Sequence, residues 1–223
     1  MKKLDLIKLK KTLPEVPGIL RKNEYFNSAV LIPLVKQNDE YYLLFEKRNA
    51  KIRQGSEICF PGGEHEHESD ISFLDTAIRE TIEELGIKKE DISIIGNVDV
   101  LVGGMGVTVD PFLAEIRINN LDDIPFDKEE VEKIFLLPLS YFYDTPPETY
   151  FLKMEVHPYY MTENDERIDL FPAKELELPE RYLKPWGGGK HKVIVWRAKE
   201  GTIWGMTAAL IYEVVSKIKL SEV

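Results

Sequence analysis

Between residues 28 and 35 the chain reads SAVLIPLV, an almost unbroken apolar run, and it turns apolar again over 41–45 before the charges of Glu46, Lys47 and Arg48. The polar QNDE between the runs has the composition of a turn, so the pattern predicts a buried strand hairpinned to a partner strand. From residue 73 the period changes. Phe73, Leu74, Ala77, Ile78, Ile82 and Leu85 recur at helical spacing as a buried stripe. Ser72 and Asp75 have the shape of a capping box with Asp in place of Glu, and Gly86 stands where a helix would stop. Further strands are expected at 92–102 and 107–118, and 129–139 reads as a strand leading into a short helix at 140–143. Gly103 to Gly106 is a turn that includes Met105. Pro146 and Pro147 break the pattern, 149–160 alternates as a long strand, and 161–178 reads as a loop or insertion. The segment 183–192, with Gly187, Gly188 and Gly189, reads as a flexible turn before a last strand at 193–197. A C-terminal helix at 207–220 buries Ala208, Leu210, Ile211, Val214, Val215 and Ile218. Interleaved strands and helices make the class α/β.

Residues 1–25 mix Lys with Leu and Ile and break at Pro14 and Pro17; Leu4, Ile7 and Leu9 suit one short docked helix. The expected organisation is an N-terminal extension over 1–25 packed on a single domain over 26–223. A length of 223 residues with 43% apolar residues fits that count. With 39 acidic and 29 basic side chains the net charge is −10, which argues against nucleic acid or an anionic membrane as partner. An anionic substrate stays open, because a divalent cation inverts the local sign. Cys59 is the single cysteine, so no intrachain disulfide forms and a cytoplasmic location is expected. No apolar run reaches the length of a membrane span, and Lys8, Lys10 and Lys11 interrupt what would be a signal-peptide core.

The chemistry concentrates between residues 60 and 87. Glu80, Glu83 and Glu84 lie on one face of the expected helix. Carboxylates gathered in this way repel unless a positive charge joins them, and hard oxygen donors suit Mg²⁺ or Mn²⁺. Arg79, four residues before Glu83, can pair with one of them. Upstream, Phe60-Pro61-Gly62-Gly63 is a tight turn whose glycines let backbone approach a ligand closely. His65 and His67 alternate with Glu64, Glu66 and Glu68; such a cluster can bind Zn²⁺ or serve acid–base chemistry, but alternation on a loop fixes no ligand geometry and the preferred reading is a hydrated loop tip. Arg48 and Arg53 flank a polar connector and could clamp phosphates.

The stretch resembles the Nudix box, in which a Gly is followed after five residues by Glu and after seven more by REUxEExGU, U being aliphatic. Arg79, Glu80, Glu83, Glu84, Gly86 and Ile87 match, with Thr81 at a U position. Gly63 stands sixteen residues before Arg79 where the pattern has fourteen, and Ile71 occupies the place of the first Glu, for which Glu68, Asp70 or neither stands in. A narrower resemblance is to the coenzyme A diphosphatase branch, carried by Leu43-Leu44, Arg48, Arg53 and FPGG; it departs in Asn49 for Ser, in one residue fewer between Arg53 and Phe60, and in the offset of Gly55. The Trp204-Gly205-Met206-Thr207 helix start is also similar to that branch.

These resemblances imply a Nudix α/β/α sandwich with a mixed curved sheet between helices. They imply Glu80, Glu83 and Glu84 as ligands of Mg²⁺ or Mn²⁺, and Arg79 and Glu84 as catalytic. Glu130, from an EVxxxFxxPL-like segment, joins them as base or further ligand, with Glu163 and Glu166 as other candidates. Arg48, Arg53, Gly62 and Gly63 would bind substrate. The implied reaction is hydrolysis of coenzyme A or acyl derivatives to 3′,5′-ADP and 4′-phosphopantetheine. The alternatives are another nucleotide diphosphate (ADP-ribose, a dinucleotide or a nucleoside triphosphate) or a non-catalytic nucleotide sensor. The partner expected is a small nucleotide, with homodimerisation as an option.

Overall fold

The computed structural model describes residues 6–104 and 106–222; Leu4 of the expected docked helix and Met105 of the expected glycine turn lie outside them. In chain order the elements are α1 (Leu6–Thr12), β1 (Phe26–Gln37), β2 (Glu40–Arg48), β3 (Ile58–Cys59), β4 (Gly62–Glu64), α2 (Phe73–Leu85), β5 (Ile92–Asn97), β6 (Leu101–Gly103) and β7 (Val107–Ile116). They continue as β8 (Val131–Pro138), α3 (Leu139–Asp144), β9 (Glu148–Val156), β10 (Tyr159–Met161), β11 (Arg167–Asp169), β12 (Trp186–Ala198), β13 (Gly201–Trp204) and α4 (Gly205–Ser221).

An eight-stranded mixed sheet is built on the order β3-β2-β1-β7-β5, with β4 on β1, β6 on β7 and β8 on β2. The pair β1–β7 is parallel, Phe26 opposite Val107 through Leu34 opposite Glu115, and β1–β2 is the expected antiparallel hairpin. Alternation along β1 divides the core. Ala29 and Leu31 pack with Ala77 of α2 and with Phe112, Ala114 and Ile116 of β7. Ile32 and Leu34 face the other way, into the cluster holding Phe142 of α3 and Leu210, Ile211 and Val214 of α4. Helices therefore cover both faces, the layering of an α/β/α sandwich. A second sheet, β13-β12-β9, adds Ile194, Trp196 and Ile203 to the α4 side.

Several elements differ from the sequence pattern. The strand expected over 92–102 is divided into β5 and β6, which pair with different stretches of β7. Pro111 lies between those stretches and has no N–H for a neighbour; its carbonyl accepts from Val98 instead. The segment 183–192 is mostly the start of β12, paired with β9 through a bulge at Gly187–Gly189, where Gly187 and Gly188 take left-handed φ. The segment 161–178 contains half of a small hairpin, β10–β11. FPGG is likewise no turn: Pro61 O accepts from Leu31 N–H and Gly62 begins β4 against β1. In α2, Thr76, Ala77, Thr81, Glu84 and Leu85 are buried, whereas Ile78 and Ile82 of the expected stripe are half-buried.

The N-terminal helix α1 forms but buries none of its residues. The chain behind it is tied down by Lys22 Nζ on Asp110 Oδ2 at 2.6 Å and by Phe26 N–H on Gly106 O. Among the described residues no helix is long and apolar enough to cross a membrane.

Candidate active site

Strands β2 and β4 of the large sheet meet helix α2 at the site. Along β2, Leu44, Glu46 and Arg48 share the face turned to α2, while Leu43 and Phe45 enter the opposite core. Strand β4 slides between β1 and α2, and the two glycines permit it. A Cβ on Gly62 would stand 2.3 Å from Ala29 O, and its φ of +151° is one that glycine tolerates. A Cβ on Gly63 would stand 2.3 Å from the carboxyl carbon of Glu80. The helix is held at both ends. Ser72 Oγ accepts from Asp75 N–H at 3.2 Å and donates to Asp75 Oδ2 at 2.7 Å, so the capping box closes through the hydroxyl. Gly86 takes the left-handed conformation at the C-terminus.

Arg79 is the hub of the exposed side of the site. Its Nε and Nη2 make a bidentate pair with Asp70 at 2.9 and 3.0 Å. Its Nη1 reaches Glu80 at 2.8 Å and Glu83 at 3.1 Å. Asp70 also accepts from Thr76 Oγ1 at 2.9 Å and from Glu66 N–H at 3.0 Å, so it clasps its own loop to the helix. The arginine holds the Asp70 carboxyl well below the usual carboxylate range. Ile71, at the position of the first Glu in the Nudix pattern, is 96% exposed. Of the two acidic residues offered for that position, Asp70 is buried and pairs with Arg79, and Glu68 is exposed. His65 is not a loop-tip residue: its Nδ1 lies 2.7 Å from Thr76 Oγ1 and its ring packs on Phe73.

The buried side of the site is a cluster of carboxylates around one guanidinium. Glu84 is almost fully buried and its Oε2 accepts from Gly62 N–H at 2.9 Å. Glu46 is fully buried; Cys59 Sγ donates to its Oε1 at 3.2 Å, and its Oε2 has no hydrogen-bond partner among the described residues. Arg48 Nη1 lies 3.8 Å from Glu46 Oε1 and 3.9 Å from Glu84 Oε1. Burial, and then the neighbouring Glu46, pushes Glu84 up to about 9. Burial pushes Glu46 up to about 7, with Glu130 and Glu80 adding to it. Burial likewise raises Glu80 against the pull of Arg79.

The remaining residues expected at the site are distributed around this centre. Glu130 is exposed just before β8; its backbone O accepts from Asn49 N–H at 2.7 Å, and its charge is felt at Glu46 and Glu80. Arg53 is exposed on the connector, its guanidinium 5.5 Å from the Phe26 ring centre, and its carbonyl accepts from Arg48 Nε at 3.3 Å. Glu163 and Glu166 are exposed at the β10–β11 turn. Glu46 was not singled out in the sequence. The available signal was a charge in phase with Leu44 on a strand otherwise apolar at that point.

The donor set suits a hard divalent cation: Glu80, Glu83 and Glu84 share a helix face, and burial first, then neighbouring carboxylates, raises Glu80 and Glu84. Among the described residues no three acid, His or Cys side chains converge on one point as the rotamers stand. Glu80 and Glu83 are turned onto Arg79, and Glu84 onto Gly62 N–H.

The NUDIX domain profile matches residues 25–158, more than half of the chain. The chain belongs to the Nudix family, whose hydrolases act on diphosphate bonds. Mouse peroxisomal coenzyme A diphosphatase NUDT7 is 31% identical over 126 residues, which cover 56% of this chain and 51% of that protein. The match thus spans about half the length of the mouse enzyme. The uncharacterized Nudix hydrolase NudL of Yersinia enterocolitica is 25% identical over 206 residues, covering 92% of this chain and 87% of that one. Among solved structures, an Ap4A hydrolase from C. elegans aligns with a TM-score of 0.43 at 22% identity, over 52% of this chain and 81% of that one.

Proposed function

We propose that the chain hydrolyses the diphosphate linkage of coenzyme A or its acyl derivatives, releasing 3′,5′-ADP and 4′-phosphopantetheine. The observation that carries this reading is Arg48 seated against the Glu46–Glu84 pair, within the segment that resembles the coenzyme A branch. The similarity to the mouse coenzyme A diphosphatase supports it.

In this reading Glu80, Glu83 and Glu84 hold Mg²⁺ or Mn²⁺, which supplies charge that offsets the diphosphate and makes a water more acidic. Arg79, fixed by Asp70, keeps Glu80 and Glu83 on the side facing the substrate. Gly62 and Gly63 let the β4 backbone lie against the carboxylates, so no side chain stands between them and the phosphates. A water attacks one phosphorus, the bridging oxygen leaves with the bonding electrons, and Glu130 takes the proton. Arg48 and Arg53 receive phosphate groups, including the 3′-phosphate that separates coenzyme A from ADP-ribose.

The test is selectivity. Replacing Arg48 and Arg53 with Ala lowers kcat/KM on coenzyme A by about a hundredfold, as for loss of charge-assisted phosphate contacts. Turnover of ADP-ribose or NADH under the same conditions changes less. An equal loss on all three substrates refutes the assignment of these arginines to coenzyme A.

A further inference from the structure

Away from the carboxylate site, the second sheet ends in an edge that the described residues leave open. Strand β9 is the outer strand of β13-β12-β9, and every residue of it is exposed. Its backbone is paired with β12 alone among the described residues. Tyr150, Leu152, Met154 and Val156 project from one face and Phe151 from the other, each 41–57% exposed. A long, apolar, unpaired edge is a template for strand addition, and proteins ordinarily blunt such edges with proline, bulges or a covering segment. Within β9 there is no proline, and its one bulge lies on the β12 side.

We propose that β9 is a homodimer edge, pairing antiparallel with β9 of a second copy about a two-fold axis at Met154. The charges select the occupant and the register. A two-fold antiparallel pair runs through a central residue, and each choice of centre sets different side chains opposite one another. Centring on Lys153 or Glu155 opposes like charges. Centring on Leu152 sets Lys153 against Phe151 and Glu155 against Thr149. Centring on Met154 sets Lys153 against the partner's Glu155 twice and Leu152 against the partner's Val156 twice. Lys153 and Glu155 already lie side by side, Nζ to Oε1 at 2.7 Å, so a +/− pair faces its own inverse across the axis. The product is a continuous sheet, β13-β12-β9 followed by the same three strands in reverse.

Sedimentation velocity on the full chain, from about 1 to about 100 µM, reads the outcome. The wild-type protein is a concentration-dependent dimer. Lys153→Glu and Glu155→Lys each replace two attractions by two repulsions and raise the dissociation constant about tenfold or more. The double variant Lys153→Glu/Glu155→Lys restores the wild-type value within about threefold, because the pattern is again self-complementary. Val156→Asp weakens the dimer and leaves the far-UV spectrum and the hydrolase turnover unchanged. A wild-type monomer at all these concentrations overturns the proposal. So does a dimer whose dissociation constant ignores both single reversals, which would place the contact elsewhere.

Discussion

The substitution that most sharply separates the family pattern from this structure is Asp70→Ala, measured beside Ile71→Ala. Asp70 accepts two hydrogen bonds from Arg79, one from Thr76 and one from Glu66 N–H, and its side chain is 2% exposed. Removing one partner of a buried ion pair costs about 3–5 kcal/mol when the other charge is stranded. Arg79 is not stranded: it keeps Glu80 and Glu83, and its side chain is 24% exposed. The cost therefore falls to about 2–3 kcal/mol. For a chain of this length that is a Tm lower by about 4–12 °C in thermal unfolding followed by circular dichroism. Ile71→Ala, at a 96% exposed position, stays within about 0.5 kcal/mol of wild type. The pH dependence has a fixed sign. The folded-state pKa of Asp70 is depressed, so its contribution is complete above the unfolded value near about 4 and is lost as pH falls below it. The gap between wild type and Asp70→Ala therefore narrows as pH falls from about 5 towards 2. A loss in Ile71→Ala equal to that in Asp70→Ala would refute the reasoning, as would a gap that widens in acid.

Two further outcomes follow from the same geometry. Gly63→Ala drives a Cβ into the Glu80 carboxyl, so kcat falls by about ten- to a hundredfold with a smaller change in KM; an unchanged kcat contradicts the close approach. In chelator, the raised carboxyls of Glu46 and Glu84 bind protons more tightly folded than unfolded, so stability is lost as pH rises towards about 7 for the first and about 9 for the second. The metal-free Tm is accordingly lower at pH 9 than at pH 6, and Glu46→Gln flattens that slope; a slope unchanged by Glu46→Gln contradicts the coupling.

What the sequence disclosed follows from which features local chemistry controls. The β1–β2 hairpin was legible because both strands are apolar runs around a polar turn. The α2 boundaries were legible because Ser72, Asp75 and Gly86 act on backbone groups within a turn of themselves. The face of α2 was not. Thr81 and Glu84 are buried while Ile78 and Ile82 are half-buried, since β4 passes over the glutamate side and hydrophobicity does not decide what it covers. The pairing of Asp70 with Arg79 was not legible, and Glu68, Asp70 and neither all stayed open, because the position of Asp70 depends on how the lengthened loop folds back through Glu66. Glycines at 187–189 suggested a turn, yet β9 supplies a partner and the bulge absorbs their left-handed φ. The extension gave a helix, α1, but none of its residues is buried.

The central claim is that the carboxylate face of α2 cleaves a diphosphate bond and that coenzyme A is the preferred source of it. The direct measurement is product analysis by mass spectrometry after incubation of the protein with coenzyme A and Mg²⁺ or Mn²⁺, beside Glu84→Gln. The account predicts 3′,5′-ADP and 4′-phosphopantetheine from the wild type, at a rate lower by about a thousandfold or more in the variant. Intact coenzyme A with the wild type, or equal cleavage by Glu84→Gln, would contradict it.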